Sequence, residues 1–228
     1  MALDTATPSP SLALLRADEP VAELDLAPDR GAGRRVAEAL HHLLGAAGCD
    51  VRDLARVVVG VGPGGFTGLR IGIATALALG QALRVPVEGA STLEALAVGL
   101  AAVAAPDDLL VPLVDARRGE VFAAAYRAGG PTGLTPVIAP AAFAPAGLLA
   151  ALREVAEEPA LAAGDGLAAL PPAEGASPLR PAPGERVHRV RAAELARRVR
   201  DAGPLPVVPL YLRLPDAEVN RLRRERAA

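Results

Sequence analysis

Between Arg56 and Leu83 the chain passes from a β-branched run, RVVVGV, through the tight turn GPGG into a long stretch patterned as a helix. Such a unit commits this part of the chain to α/β architecture, because a strand buried on both faces reads as a continuous apolar run and needs helices to cover it. The helix reads from about Thr67 to Leu83, with Thr67 expected as its N-cap. Gly68, Gly72, Ala76 and Gly80 fall every fourth residue and form one ridge nearly free of side chains, flanked by Leu69, Ile73 and Leu77. An interior glycine costs up to ~1 kcal/mol relative to alanine, so close approach of another backbone is required to offset the ridge. Two occupants fit the spacing equally: the chain's own sheet, or a neighbouring subunit.

The flanking pattern repeats. Short strands are expected at ALDT (2–5), SLALL (11–15) and VAELDL (21–26), followed by a helix over 33–48 on Val36, Leu40, Leu43 and Ala47. After the glycine turn come a strand at 85–89 and a helix at 91–105, where Ser91 and Glu94 have capping-box spacing. Pro106 and two aspartates mark a boundary between a first unit, 1–105, and a second, 106–228. The second restarts with strands at 109–116, 120–128 and 135–139, a helix at 141–155, a strand near 159–166 and a Pro/Gly-rich loop over 170–185. A helix at 192–203, an extended stretch at 206–213 and a charged tail follow. Two units with one grammar imply a duplicated α/β fold.

Composition removes whole classes of chemistry. All 24 basic residues are arginine, which excludes a P-loop lysine and a Schiff-base lysine. The single cysteine, Cys49, excludes disulfide frameworks and cysteine metal clusters. Aromatics at 2% argue against a stacking platform for single strands, and a net charge of -2 gives no drive onto nucleic acid or membrane. No apolar run approaches the ~20 residues of a membrane helix, and the N-terminus lacks a secretory pattern; the expectation is a cytoplasmic protein with no membrane partner.

GVGPGG (60–65) matches the dinucleotide pattern G-x-G-x-x-G, with Glu88 placed where a ribose-binding acid would sit. Against it, Pro63 removes an N–H from a loop whose N–H groups would hold the pyrophosphate. The match also lies in the fourth strand, not the first. The better reading is a structural turn. His41 and His42 are adjacent and point about 100° apart on a helix, so they cannot share a metal. His188, among arginines, reads as a surface residue. Asp4 and Asp115 could in principle hold Mg²⁺, but each reads first as a cap on its own hairpin turn.

GPGGFTGLRIGIATALALG (62–80), with ALDTAT (2–7), VDARRGEVFAA (114–124) and YLR (211–213), resembles the TsaB (YeaZ-like) family from residue 2 to about 213. The residues carrying the resemblance include Asp4, Thr5, Gly62, Pro63, Gly64, Phe66, Thr67, Arg70, Asp115, Arg117, Gly119 and Glu120. Three departures stand out: Gly65 where the family loop has serine, a first strand shorter than usual before ALDT, and GRR at the entry to the first helix.

The resemblance implies two ribonuclease-H-like domains of the actin/Hsp70/sugar-kinase (ASKHA) type. It also implies a non-catalytic dimerization subunit of the complex that makes threonylcarbamoyladenosine in tRNA. That subunit would pair with TsaD, or with a second copy of itself, and would support the small ATPase TsaE. It would meet tRNA only indirectly and need no metal or cofactor. The expected partner surface is Val36, Leu40, Leu43, Gly68, Leu69, Gly72, Ile73, Ala76 and Leu77, so Gly72→Arg or Ile73→Asp should abolish pairing and spare the fold. The alternative is a nucleotide-binding ASKHA-type enzyme using Asp4 and Asp115.

Overall fold

The structure is a computed structural model and describes residues 1–28, 35–129, 133–172 and 176–213. Gly33 and Arg34 of the expected helix entry, part of the 170–185 loop and the tail beyond Arg213 lie outside them.

Two five-stranded sheets carry the same strand order. In the first, β1 (Ala2–Asp4), β2 (Ser11–Arg16) and β3 (Glu19–Asp25) form an antiparallel meander, and β4 (Val57–Gly62) and β5 (Val87–Ser91) join in parallel, giving β3-β2-β1-β4-β5. In the second, β6 (Leu109–Arg117), β7 (Glu120–Ala128) and β8 (Leu134–Phe143) repeat the meander. β9 (Ala160–Ala163) and β10 (Leu179–Pro181) extend it in parallel, giving β8-β7-β6-β9-β10. This is the two-unit ASKHA-type α/β fold. β10 lies inside the stretch expected to be a loop. Its three residues are too few for period-2 alternation to register in a Pro/Gly-rich background.

Strand alternation divides the core into three layers. On the outer face of the first sheet, Leu12 and Leu14 of β2 meet α1 (Val36–Ala46) through Val36, Leu40 and Leu43, and Leu3, Val57 and Val59 meet α2 (Phe66–Leu83) through Ile73 and Ala76. Between the sheets, Ala2, Ala13 and Val58 face Leu110, Val114 and Leu161 across α3 (Thr92–Ala101) and α5 (Ala192–Ala202). The outer face of the second sheet is closed by Leu148 and Leu152 of α4 (Pro145–Val155). The two central helices are exchanged. α3, which follows the first sheet in sequence, packs on β6, whereas α5, at the end of the second unit, packs on β1, β2, β4 and β5.

Three local expectations change. α2 begins at Phe66 with Gly65 in the N-cap position and no side-chain cap, so Thr67 is inside the helix. α2 also has 18 residues and a mean hydropathy of 1.3, long and apolar enough by length and composition to span a membrane. Its alanines and glycines raise hydropathy while one face stays seated on the chain's own sheet. At α3 the Ser91 hydroxyl accepts from the Glu94 N–H at 3.3 Å, while the Glu94 carboxylate turns to Arg198 of α5 at 2.9 Å.

Candidate functional site

The glycine turn is filled by the chain's own backbone. Gly65 N–H donates to the Ala6 carbonyl at 2.7 Å, and the Thr5 hydroxyl donates to the Gly68 carbonyl at 2.7 Å. A Cβ on Gly64 or Gly68 would come under 3.0 Å from the Ala6 or Thr5 carbonyl oxygen, and one on Gly72 equally close to Thr5 Oγ1. The glycines are therefore needed so that the start of α2 can lie against Thr5–Ala6, and the N–H at Gly65 is already spent. Glu88, the residue placed for a ribose, instead faces Arg56 at 3.5 Å.

This geometry corrects the expected partner surface. Leu69 and Ala76 are fully buried, Ile73 is 7% exposed, and Val36, Leu40 and Leu43 pack under β2 and β3. Gly68, Gly72 and Gly80 press against Thr5 and Val87. The small-residue ridge faces the protein's own sheet, and Gly72→Arg or Ile73→Asp would disrupt the fold rather than spare it. Spacing alone could not separate the two occupants, because either one calls for a flat helix face. Of the nine expected residues only Leu77 is open, at 47% exposure.

The open face of α2 is the opposite one. Thr67, Arg70, Ala74, Leu77, Ala78 and Gln81 are exposed, and Ile71 is half-buried. Phe66 heads this face at 39% exposure and stacks on Tyr211, with ring centroids 5.3 Å apart. The Arg70 guanidinium lies 3.7 Å over the Phe66 ring, and its Nε donates to Tyr211 Oη at 3.2 Å. Tyr211 arrives on a strap that pairs Leu205 with Gly89 and donates Leu210 N–H to the Val61 carbonyl at 2.7 Å. Arg213 at the end of the strap pairs with Glu120 of β7 at 2.8 Å. Thus Phe66, Arg70, Glu120, Tyr211 and Arg213, far apart in sequence, tie the C-terminal strap to both sheets. Tyr211 was visible in sequence only as part of the YLR motif.

The two hairpin aspartates adopt the same local device. Asp4 Oδ1 accepts from Ala6 N–H at 2.8 Å, and Asp115 Oδ1 from Arg117 N–H at 2.7 Å, each two residues on. Their surroundings differ. Asp4 is fully buried beneath Gly60, its second oxygen accepts from the Thr92 hydroxyl at 2.8 Å, and burial pushes its carboxyl up to about 6. Asp115 is partly exposed and ion-paired to Arg117 at 3.0 Å; its N–H donates to Asp165, whose carboxyl is also raised by burial. Arg117, Arg118 and Gly119 all have positive φ, at 64°, 58° and 76°, so the β6–β7 turn is a bulge followed by a tight two-residue turn.

A cavity of about 460 Å³ opens between the sheets beside these turns, lined by Thr7, Ser9, Val114, Asp165 and His188 among others. His188, expected at the surface, is half-buried, accepting from Gly164 N–H at 3.4 Å and contacting the Ala182 carbonyl through Nε2 at 3.0 Å. Burial of the Asp4 carboxylate with both oxygens engaged does not suit a Mg²⁺-nucleotide, which needs hard oxygen ligands facing the cleft. Among the described residues no group of three His, Cys, Asp or Glu side chains is placed to hold a metal. His41 and His42 are both exposed on α1, and His42 faces Glu38 at 3.8 Å.

Residues 30–177 match the family model for TsaD, tRNA N6-adenosine threonylcarbamoyltransferase. The tRNA threonylcarbamoyladenosine biosynthesis protein TsaB of Bacillus subtilis (strain 168) is 36% identical over 127 residues, 56% of this chain and 54% of that protein. The match thus spans about half the length of that curated relative. An uncharacterized protein of Mycobacterium tuberculosis (strain ATCC 25618 / H37Rv) is 39% identical over 220 residues, 96% of this chain and 93% of that one. Among solved structures, YeaZ from Pseudomonas aeruginosa superposes with a TM-score of 0.69 at 25% identity, covering 92% of this chain and 98% of that one. Shared strand order, shared motif residues and these likenesses agree: the chain belongs to the TsaB (YeaZ-like) family, whose named relatives are proteins of tRNA threonylcarbamoyladenosine biosynthesis.

Proposed function

We propose that this protein is a non-catalytic subunit in the formation of threonylcarbamoyladenosine in tRNA. It pairs through the outer face of α2 with the TsaD subunit, on which the transfer chemistry takes place, and TsaE acts on the assembled pair. The observation that carries the reading is the exposed apolar stripe of Ala74, Leu77 and Ala78, flanked by half-buried Ile71, on a helix whose other face is fixed to its own sheet. An apolar stripe rimmed by polar groups marks an interaction surface. Because the ridge is internal, α2 is presented as a rigid platform. Binding it would shift TsaD toward its active conformation, which is an effect on populations and makes no bond.

The nucleotide-enzyme alternative needs Asp4 to reach a metal, and the burial of Asp4 with both oxygens engaged argues against it. The test is co-expression with the TsaD homologue of the same organism. Wild type is expected to co-purify as a one-to-one pair, and Leu77→Asp to be folded but recovered alone. Co-purification of Leu77→Asp at the wild-type ratio would refute the surface, and ATP hydrolysis by the chain alone would refute the non-catalytic role.

A further inference from the structure

Arg70 occupies an unusual place on the outer face of α2. Several arginines here meet a carboxylate, among them Arg56 with Asp18, Arg117 with Asp115, Arg180 with Asp108 and Arg213 with Glu120. Arg70 meets none among the described residues. It is held instead by an aromatic ring beneath it and a phenol at its Nε. Its guanidinium is thus fixed in position while its terminal N–H groups are left for something outside the chain. A guanidinium ordered in advance loses less side-chain freedom when it binds, which favours tight recognition.

The position matters as much as the geometry. Phe66, Arg70, Ala74 and Leu77 follow one another at helical spacing on a single stripe. A partner that covers Ala74 and Leu77 therefore desolvates Arg70 as well. Burying a guanidinium without a counter-charge is strongly unfavourable, so whatever covers the stripe must supply an acid. α2 contains no acidic residue from Phe66 to Leu83, and Glu120 on the strap side is already paired. A second copy laid α2 against α2 would set Arg70 opposite alanine, leucine or another arginine.

We infer that Phe66, Arg70 and Tyr211 form a carboxylate-recognition point on this surface, and that its occupant is an Asp or Glu side chain on an otherwise apolar helix of a different subunit. The inference rests on the pairing surface proposed above and names the chemistry that gives it specificity. Tyr211 acts as a positioning residue: it holds Arg70 Nε, and the free fork takes the carboxylate bidentately. The C-terminal strap then has a role beyond closing the fold, since it carries one wall of the site.

The test is titration calorimetry of the full chain against the co-purifying TsaD homologue at low and moderate salt, with thermal melts to verify folding. Arg70→Gln is expected to weaken binding at least about 10-fold and to flatten its salt dependence. Arg70→Lys should remain nearly as weak, because an ammonium neither stacks on Phe66 nor forms a fork. Tyr211→Phe should cost a few-fold. If Leu77→Asp abolishes binding while Arg70→Gln stays within twofold of wild type, the carboxylate site is overturned and the pairing surface survives. If Leu77→Asp has no effect, the surface itself falls. An Arg70→Gln loss that is insensitive to salt would reduce the residue to packing. Self-association in the ultracentrifuge that depends on Arg70 as strongly as the heterologous titration would make a second copy the occupant, overturning the assignment.

Discussion

The two halves of the molecule share a strand order but not a covering. Between β4 and β5 the first half places the 18-residue helix α2; between β9 and β10 the described residues of the second half form only a short 3-10 turn, Asp165–Ala169, and connecting chain. The strand order needs no such helix, since the second sheet pairs β9 with β10 without one. α2 is therefore not imposed by the strand order; its inner face is committed to the sheet and its outer face is available. The hairpin aspartates make the same point at smaller scale. One Asx-turn is repeated, sealed in the first half at Asp4 and open to solvent in the second at Asp115.

The sharpest way to break this comparison is to add bulk where α2 meets β1. Gly68→Val should cost about 3 kcal/mol or more, since its side chain must displace the Thr5 backbone, and chemical denaturation would read the loss. A change below about 0.5 kcal/mol would mean that the helix is not fixed to the sheet. Next comes acidity at the sealed turn. The folded chain holds the Asp4 proton up to about pH 6, while an unfolded chain releases it near 3.8. Stability should therefore rise as pH falls through that window, by on the order of 3 kcal/mol at most, with Asp165 adding a slope of the same sign. Asp4→Asn should remove most of that slope in a series of melts from pH 7 to 4; an unchanged slope would place Asp4 in solvent.

The open turn should respond less. Asp115→Asn keeps an acceptor for Arg117 N–H and loses only a solvent-facing ion pair, so a cost under about 1 kcal/mol is expected. A larger loss would make the second turn as tightly set as the first. The smallest effect is a gain. Gly65 has N-cap dihedrals of φ -64° and ψ 123° and room for a side chain, so Gly65→Ser should add a few tenths of a kcal/mol by capping α2. A decrease in melting temperature would show that this glycine is needed for the turn itself.

Much of the architecture was legible in the chain. The continuous run at Val57–Val59 requires a strand covered on both sides, and the recurrence of strand-meander patterns predicts the duplicated sheets. The Asx role of Asp4 and Asp115 follows from their position at the ends of short strands. What the residues could not reveal was direction. A glycine every fourth position states that something approaches α2 closely, but only the placement of Thr5 against Gly68 and Gly72 shows that the neighbour is internal. The open stripe beside it was partly hidden because alanine is neutral to burial, and Tyr211 lies 141 residues from Arg70.

The sequence by itself determined the order of strands and helices apart from β10, the family, and the exclusion of lysine and cysteine chemistry, because periodicity and residue inventory are local properties of the chain. Tertiary structure alone decided which face of α2 is shared with solvent, which aspartate is sealed, and that a C-terminal strap brings the Tyr211 hydroxyl to the Nε of an arginine that lies over Phe66. Those outcomes depend on contacts between distant segments, and no spacing rule carries information about which of two flat surfaces a helix will choose.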